Sequence, residues 1–165
     1  MPSSSHLAAG AIEPLEASLW VSRFDLMAER LRKEAQPLEP VLRHVFHLIQ
    51  LTPLMSRHLL AIAVPEKLFE SLLDARCYDT AALALVGRGM SLSVRHRAGA
   101  HVAVTVALGE EGASGKGEGA ELARAFLRAY CRCVGAVAVG TACRAAPDFQ
   151  PQATRAGSRR RMSTH

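Results

Sequence analysis

MSLSVRHRAGAHVAVTVALGEEGASGKGEGAELARAFLRAYCRCVGAV, residues 90–137, is the stretch that decides the fold. At its start Leu92 and Val94 alternate with Ser91, Ser93 and Arg95, and further on Val102, Val104, Val106 and Leu108 alternate with Ala103, Thr105 and Ala107. A period of two sends successive side chains to opposite faces, so both runs read as strands with one buried face. Residues 97–100, with Gly99, make them a β-hairpin. Residues 109–119 hold five glycines and read as a loop. The period then changes. Leu122, Phe126, Leu127, Tyr130, Cys133, Val134 and Val137 fall within an arc of about 140° on a helical wheel, and Glu121, Arg124, Arg128 and Arg132 lie opposite. This predicts an amphipathic, surface-lying helix with Phe126, Tyr130 and Val134 buried and Arg124 and Arg128 exposed.

Upstream the pattern is helical. Trp20, Phe24, Met27 and Leu31 stack along one face of a helix over residues 15–35, which Pro37 ends. Leu38, Val41, Leu42, Val45, Leu48 and Ile49 predict a second over 38–50. Thr52 and Pro53 offer a cap and a first-turn proline for a third, ending before Pro65. A fourth is expected from Glu66 to about Ala75, with Leu68, Phe69, Leu72 and Leu73 apolar. A short fifth, 80–86, would be capped by Asp79 and stopped by Gly87. The fold class is therefore α+β, five or six helices with one antiparallel hairpin, which dimerisation can extend into a larger sheet. Residues 1–12 read as a flexible leader, 13–143 as a single α+β domain, and 144–165 as a disordered basic tail.

The chain has 165 residues, a length that suits one domain, and its 49% hydrophobic and 21% charged residues exclude wholesale disorder and a disulfide miniprotein. The formal charge is +5, yet residues 144–165 carry five arginines against Asp148. That tail supplies +4 and the body only +1. Arginine outnumbers lysine 17 to 3 and asparagine is absent, a bias that a GC-rich coding sequence produces without selection for phosphate binding. The apolar stretches 45–64 and 126–143 are interrupted by His47, Arg57 and His58, and by Arg128 and Arg132, which argues against a membrane span. No targeting segment is visible, and four cysteines beside a sizeable core suit a reducing, cytoplasmic setting.

Each candidate site has a plainer reading beside it. Gly115, Lys116 and Gly117 are the cofactor-binding candidates, because a glycine-rich loop before a helix can cradle phosphate. The phosphate-loop pattern fails, with Glu110 where a glycine is needed and Gly117 where a hydroxyl is needed, and a flexible connector fits better. His44 and His47, three apart, are the metal candidates, with His58 or Glu39 as a third ligand; solvated histidines on a polar face are the plainer account. Cys131 and Cys133 point about 160° apart on a helix and cannot bridge, and Cys133 reads as a buried small hydrophobe. Arg124, Arg128 and Arg132 form a ridge that can track phosphates, but following Glu118 and Glu121 they also suit a solvated helix face. Arg155, Arg159, Arg160 and Arg161 are the polyanion contacts expected of the tail.

No catalytic residue, bound metal or cofactor is expected from these motifs. The function they favour is a non-enzymatic protein-interaction or regulatory protein that self-associates through the hairpin, with Ser93 and Thr105 on the interaction edge. Its partner would be itself or another protein, with weak polyanion binding by the tail and no membrane contact. The alternatives are a nucleic-acid-associated protein acting through the tail, and a small enzyme without a recognisable motif.

Overall fold

The computed structural model describes residues 14–33, 36–54, 57–97, 99, 101–109 and 112–145, with side chains as far as residue 136. Six helices and three strands follow one another along the chain. They are α1 (Ala17–Arg32), α2 (Leu38–Gln50), α3 (Arg57–Leu60), α4 (Glu66–Asp74), α5 (Tyr78–Leu83), β1 (Met90–Arg97), β2 (His101–Leu108), β3 (Ser114–Gly119) and α6 (Leu122–Ala145). The strands form one antiparallel sheet in the order β1-β2-β3. The class is α+β, as the periodicities predict.

The glycine-rich segment departs from expectation. It is not a loop, because Ser114–Gly119 pairs with β2 and makes β2 the central strand. Its buried positions are Gly115, Gly117 and Gly119, and the outward ones are Ser114, Lys116 and Glu118. The physical reason lies in α6. A Cβ at Gly117 would collide with Ala125 O and stand 2.7 Å from Ala129 N, and one at Gly115 would collide with Ala129 O and stand 2.5 Å from Cys133 N. The helix presents Ala125, Ala129 and Cys133, small residues at successive i, i+4 positions, to a strand without side chains. Backbone meets backbone there.

That contact places α6 in the middle of the molecule rather than on its surface. From Ala123 to Val134 only Arg128 and Arg132 escape burial. The sheet covers one side of the helix, while α1 and α5 pack on others. Phe126, Tyr130 and Val134 are fully buried as expected. Arg124 is not exposed but 8% accessible, and Arg128 is half-buried. Around α6 the core is aromatic. Trp20 meets Phe24 edge-on at 4.8 Å, Phe24 and Phe126 flank Tyr130, and Phe46 stacks on Phe69 at 4.3 Å. The Trp20 Nε1–H donates to Leu48 O at 2.8 Å, which satisfies the indole and ties α1 to α2.

The helix boundaries show which local signals prevailed. α2 begins and ends where its apolar stripe predicts. The third helix shrinks to Arg57–Leu60. Thr52 does not cap it, because its side chain is buried and its Oγ1 donates back to Ile49 O at 2.5 Å, closing α2 instead. Asp79 lies inside α5 rather than before it. Its Oδ1 accepts from Ala123 N at 2.8 Å, so it caps the first turn of α6 from 44 residues away. Gly87 packs beneath α3, where a Cβ would stand 2.9 Å from Leu59 O.

Candidate functional site

The register of the sheet determines which backbone groups remain available for a partner. Gly109 N donates to Gly89 O at 3.0 Å, and Met90 pairs with Leu108 through Arg97 with His101. Antiparallel bonding alternates, so Ser91, Ser93, Arg95 and Arg97 spend their amides and carbonyls on β2. Met90, Leu92, Val94 and His96 direct theirs away from the sheet. Met90 N is met by Gly87 O at 3.0 Å. From Leu92 to His96 the edge is open among the described residues. Val94 is 39% exposed, and Leu92 is half-buried against the core.

The opposite edge is covered at two of its carbonyls. The same alternation on β3, anchored by Leu108 N donating to Ala113 O at 2.9 Å, turns the carbonyls of Lys116 and Glu118 outward. Both are taken by α6: Arg132 Nη1 donates to Lys116 O and Arg128 Nη1 to Glu118 O, each at 2.6 Å. Arg128 also donates from Nε and Nη2 to Leu31 O at 3.0 and 2.8 Å, near the end of α1. Arg124 donates from Nη2 to Gln36 O at 3.0 Å and pairs with Glu121 at 3.2 Å. The arginine ridge is therefore more than a solvated face, although Arg132 remains exposed. It satisfies carbonyls left over by a helix end and a strand edge.

The outward face of the sheet is mild. Its rows across the three strands are Ser91, Ala107 and Ser114; Ser93, Thr105 and Lys116; and Arg95, Ala103 and Glu118. Arg97 reaches Glu118 at 3.2 Å across this face. Ser93 stands on the open edge strand, whereas Thr105 stands on the central strand and is no edge residue. The reading of Thr105 as an edge position assumed two strands, and β3 removes it.

The structure does not bring the remaining candidates together into a site. Gly115, Lys116 and Gly117 lie within β3, with the glycines flat against α6, so they form no phosphate-cradling loop. His44 and His47 share a helix turn, but among the described residues no group of three His, Cys, Asp or Glu side chains is placed to hold a metal. Burial lowers the His44 pKa, and the charges of Arg30, Arg23 and His47 lower it further. His58 is exposed on α3, and Glu39 pairs with Arg43, which also holds Glu70 at 2.8 Å. Burial pushes the Cys131 thiol up to about 12, with Asp25 adding to the shift, and raises the Cys133 thiol as well. Neither is a ready nucleophile. Cys77 is exposed, and its thiol lies 3.7 Å from Ala75 O. Arg155, Arg159, Arg160 and Arg161 lie outside the described residues.

Among the described residues no helix is long and apolar enough to cross a membrane. No family model, curated protein or solved structure matches the chain.

Proposed function

We propose that this protein is a non-enzymatic interaction module that pairs with a second copy of itself along β1. The observation that supports this most directly is the asymmetry of the sheet: β3 has its Lys116 and Glu118 carbonyls occupied by arginines, while β1 keeps a bare run from Leu92 to His96. Unpaired edges accept strands, and charge is the usual deterrent. On β1 the charge is confined to Arg95 and Arg97, toward one end.

Two-fold antiparallel pairing centred on Ser93 accommodates that distribution. Leu92 then faces the second copy's Val94, and the outward groups of each bond to those of the other. Arg95 comes opposite a serine at position 91, and like charges stay apart. Moving the two-fold centre two residues along, to Arg95, would set Arg95 against itself, which is unfavourable. The product is a six-stranded sheet with Ser93 on its axis.

Sedimentation of the full chain at roughly tens of micromolar tests the reading. That concentration corresponds to an association of about 6–7 kcal/mol. The chain should be a dimer, Ser93→Lys should be a monomer of unchanged helicity, and Thr105→Lys, on the central strand, should remain a dimer. A monomeric parent chain would overturn the proposal, as would a dimer in which the amides of Leu92, Val94 and His96 exchange freely.

A further inference from the structure

The far edge of the sheet carries a second feature that self-association leaves untouched. Between α1, β3 and α6 lies a groove of about 490 Å³ lined by Arg32, Lys116, Arg128 and Arg132, with Glu118 at its side. We infer that this groove binds a phosphoryl group. Its cations come from three elements. Arg128 and Arg132 donate to neutral carbonyls, and among the described residues neither has a carboxylate partner. A guanidinium bonded to carbonyls keeps its full charge and has N–H groups to spare. A guanidinium already bonded to carbonyls has less freedom to lose on binding.

Of the nearby acids, one is engaged away from the groove and one pairs with a groove cation. Glu118 reaches Arg97 on the outward face of the sheet, and Glu29 reaches Arg32 at 3.3 Å on exposed α1. The Lys116 side chain leaves from the outward face of the sheet at the rim of the groove, is exposed and carries no side-chain bond among the described residues. A planar carboxylate offers one edge to a fork of donors, whereas a tetrahedral phosphoryl group accepts from several directions at once. Cations arriving from a helix end, a strand and a second helix fit the tetrahedral ligand. That phosphoryl group can belong to a small phosphorylated compound or to a nucleic-acid backbone.

Calorimetric titration of the full chain with pyrophosphate, and separately with a short DNA duplex, distinguishes the two sources. Pyrophosphate should bind, and Lys116→Gln should weaken it about tenfold, the effect of one lost charge-assisted contact. Arg132→Gln should weaken it at least as much. Because Arg132 also covers the β3 edge, Lys116→Gln is the variant whose fold is not at stake. If only the duplex binds and Lys116→Gln weakens it, the groove is a site for backbone phosphate. If neither probe binds, or if both variants bind as the parent chain does, the groove is not a phosphate site and any polyanion affinity lies elsewhere, as in residues 144–165.

Discussion

Adding one methyl group to β3 should separate the sheet from its helix. At Gly117 a Cβ would overlap Ala125 O, stand 2.7 Å from Ala129 N and stand 2.9 Å from the Arg128 Cβ. The first two obstacles are helix backbone, which cannot turn aside. Ordinary contact begins at 3.4 Å, so strand and helix must part by about 0.7 Å or more to admit the alanine. A gap of that order forfeits roughly a quarter to a half of each dispersion contact it opens, and overpacking strain usually costs about 1–3 kcal/mol. α6 is the element on which sheet, α1 and α5 all converge, so Gly117→Ala should cost about 3 kcal/mol or more. The control is two residues away. A Cβ at Gly119 meets nothing nearer than 3.7 Å, and an alanine there should be neutral or stabilise by about 0.5 kcal/mol through the unfolded chain. Urea unfolding followed by far-ultraviolet circular dichroism measures both. A Gly117→Ala protein as stable as its parent, or equal losses at the two positions, would refute backbone-to-backbone packing.

Two further outcomes are expected. Phe126 is fully buried with its ring centre 5.5 Å from that of Tyr130, so Phe126→Ala should destabilise by about 3 kcal/mol or more, and an unmoved thermal midpoint would contradict its place in the core. His44 resists protonation in the fold, first through burial and then through Arg30, Arg23 and His47, so the unfolded chain binds its proton more readily. Stability should therefore rise with pH through the window below the ordinary histidine value of about 6.5, and acidification from about pH 7 to about pH 5 should cost stability that His44→Gln does not lose. Glu70, held low by Arg43, gives up its contribution only below 4.5, outside that window. Equal losses in parent and variant would exonerate His44.

Residues 38–50 reveal their helix because an unbroken apolar stripe follows Pro37, and the hairpin reveals itself because valine alternates with small polar residues over a full strand. β3 hid because hydrophobic periodicity is blind to glycine. The signal was nevertheless present as an alternation of another kind: glycine at 115, 117 and 119 against Lys116 and Glu118, matched by Ala125, Ala129 and Cys133 on the helix that follows. Small residues at period two facing small residues at period four mark a strand and a helix in intimate contact. The arginines misled for a related reason. A wheel separates charged from apolar residues but cannot tell water from a neighbouring backbone, and Arg124, Arg128 and Arg132 point at carbonyls of α1, the α1–α2 connection and β3. Asp79 illustrates the limit of local reading, since its partner is Ala123. The candidate edge was half legible: Ser93 follows from the hairpin, whereas the central place of Thr105 depends on β3.

The arginines that seal β3 also bear on how large any assembly can become. A sheet with two bare edges is a polymerisation hazard, because each added copy presents a fresh edge to the next and growth has no end. Here Arg128 and Arg132 occupy the outward carbonyls at one end of the sheet. In the pairing proposed at β1, the second copy would arrive with the Lys116 and Glu118 carbonyls of its own far edge already taken. In that pairing, two side chains from a buried helix would favour a finite complex over a fibre. Their loss should be felt less as a change in what the protein recognises than as a loss of its ability to stop.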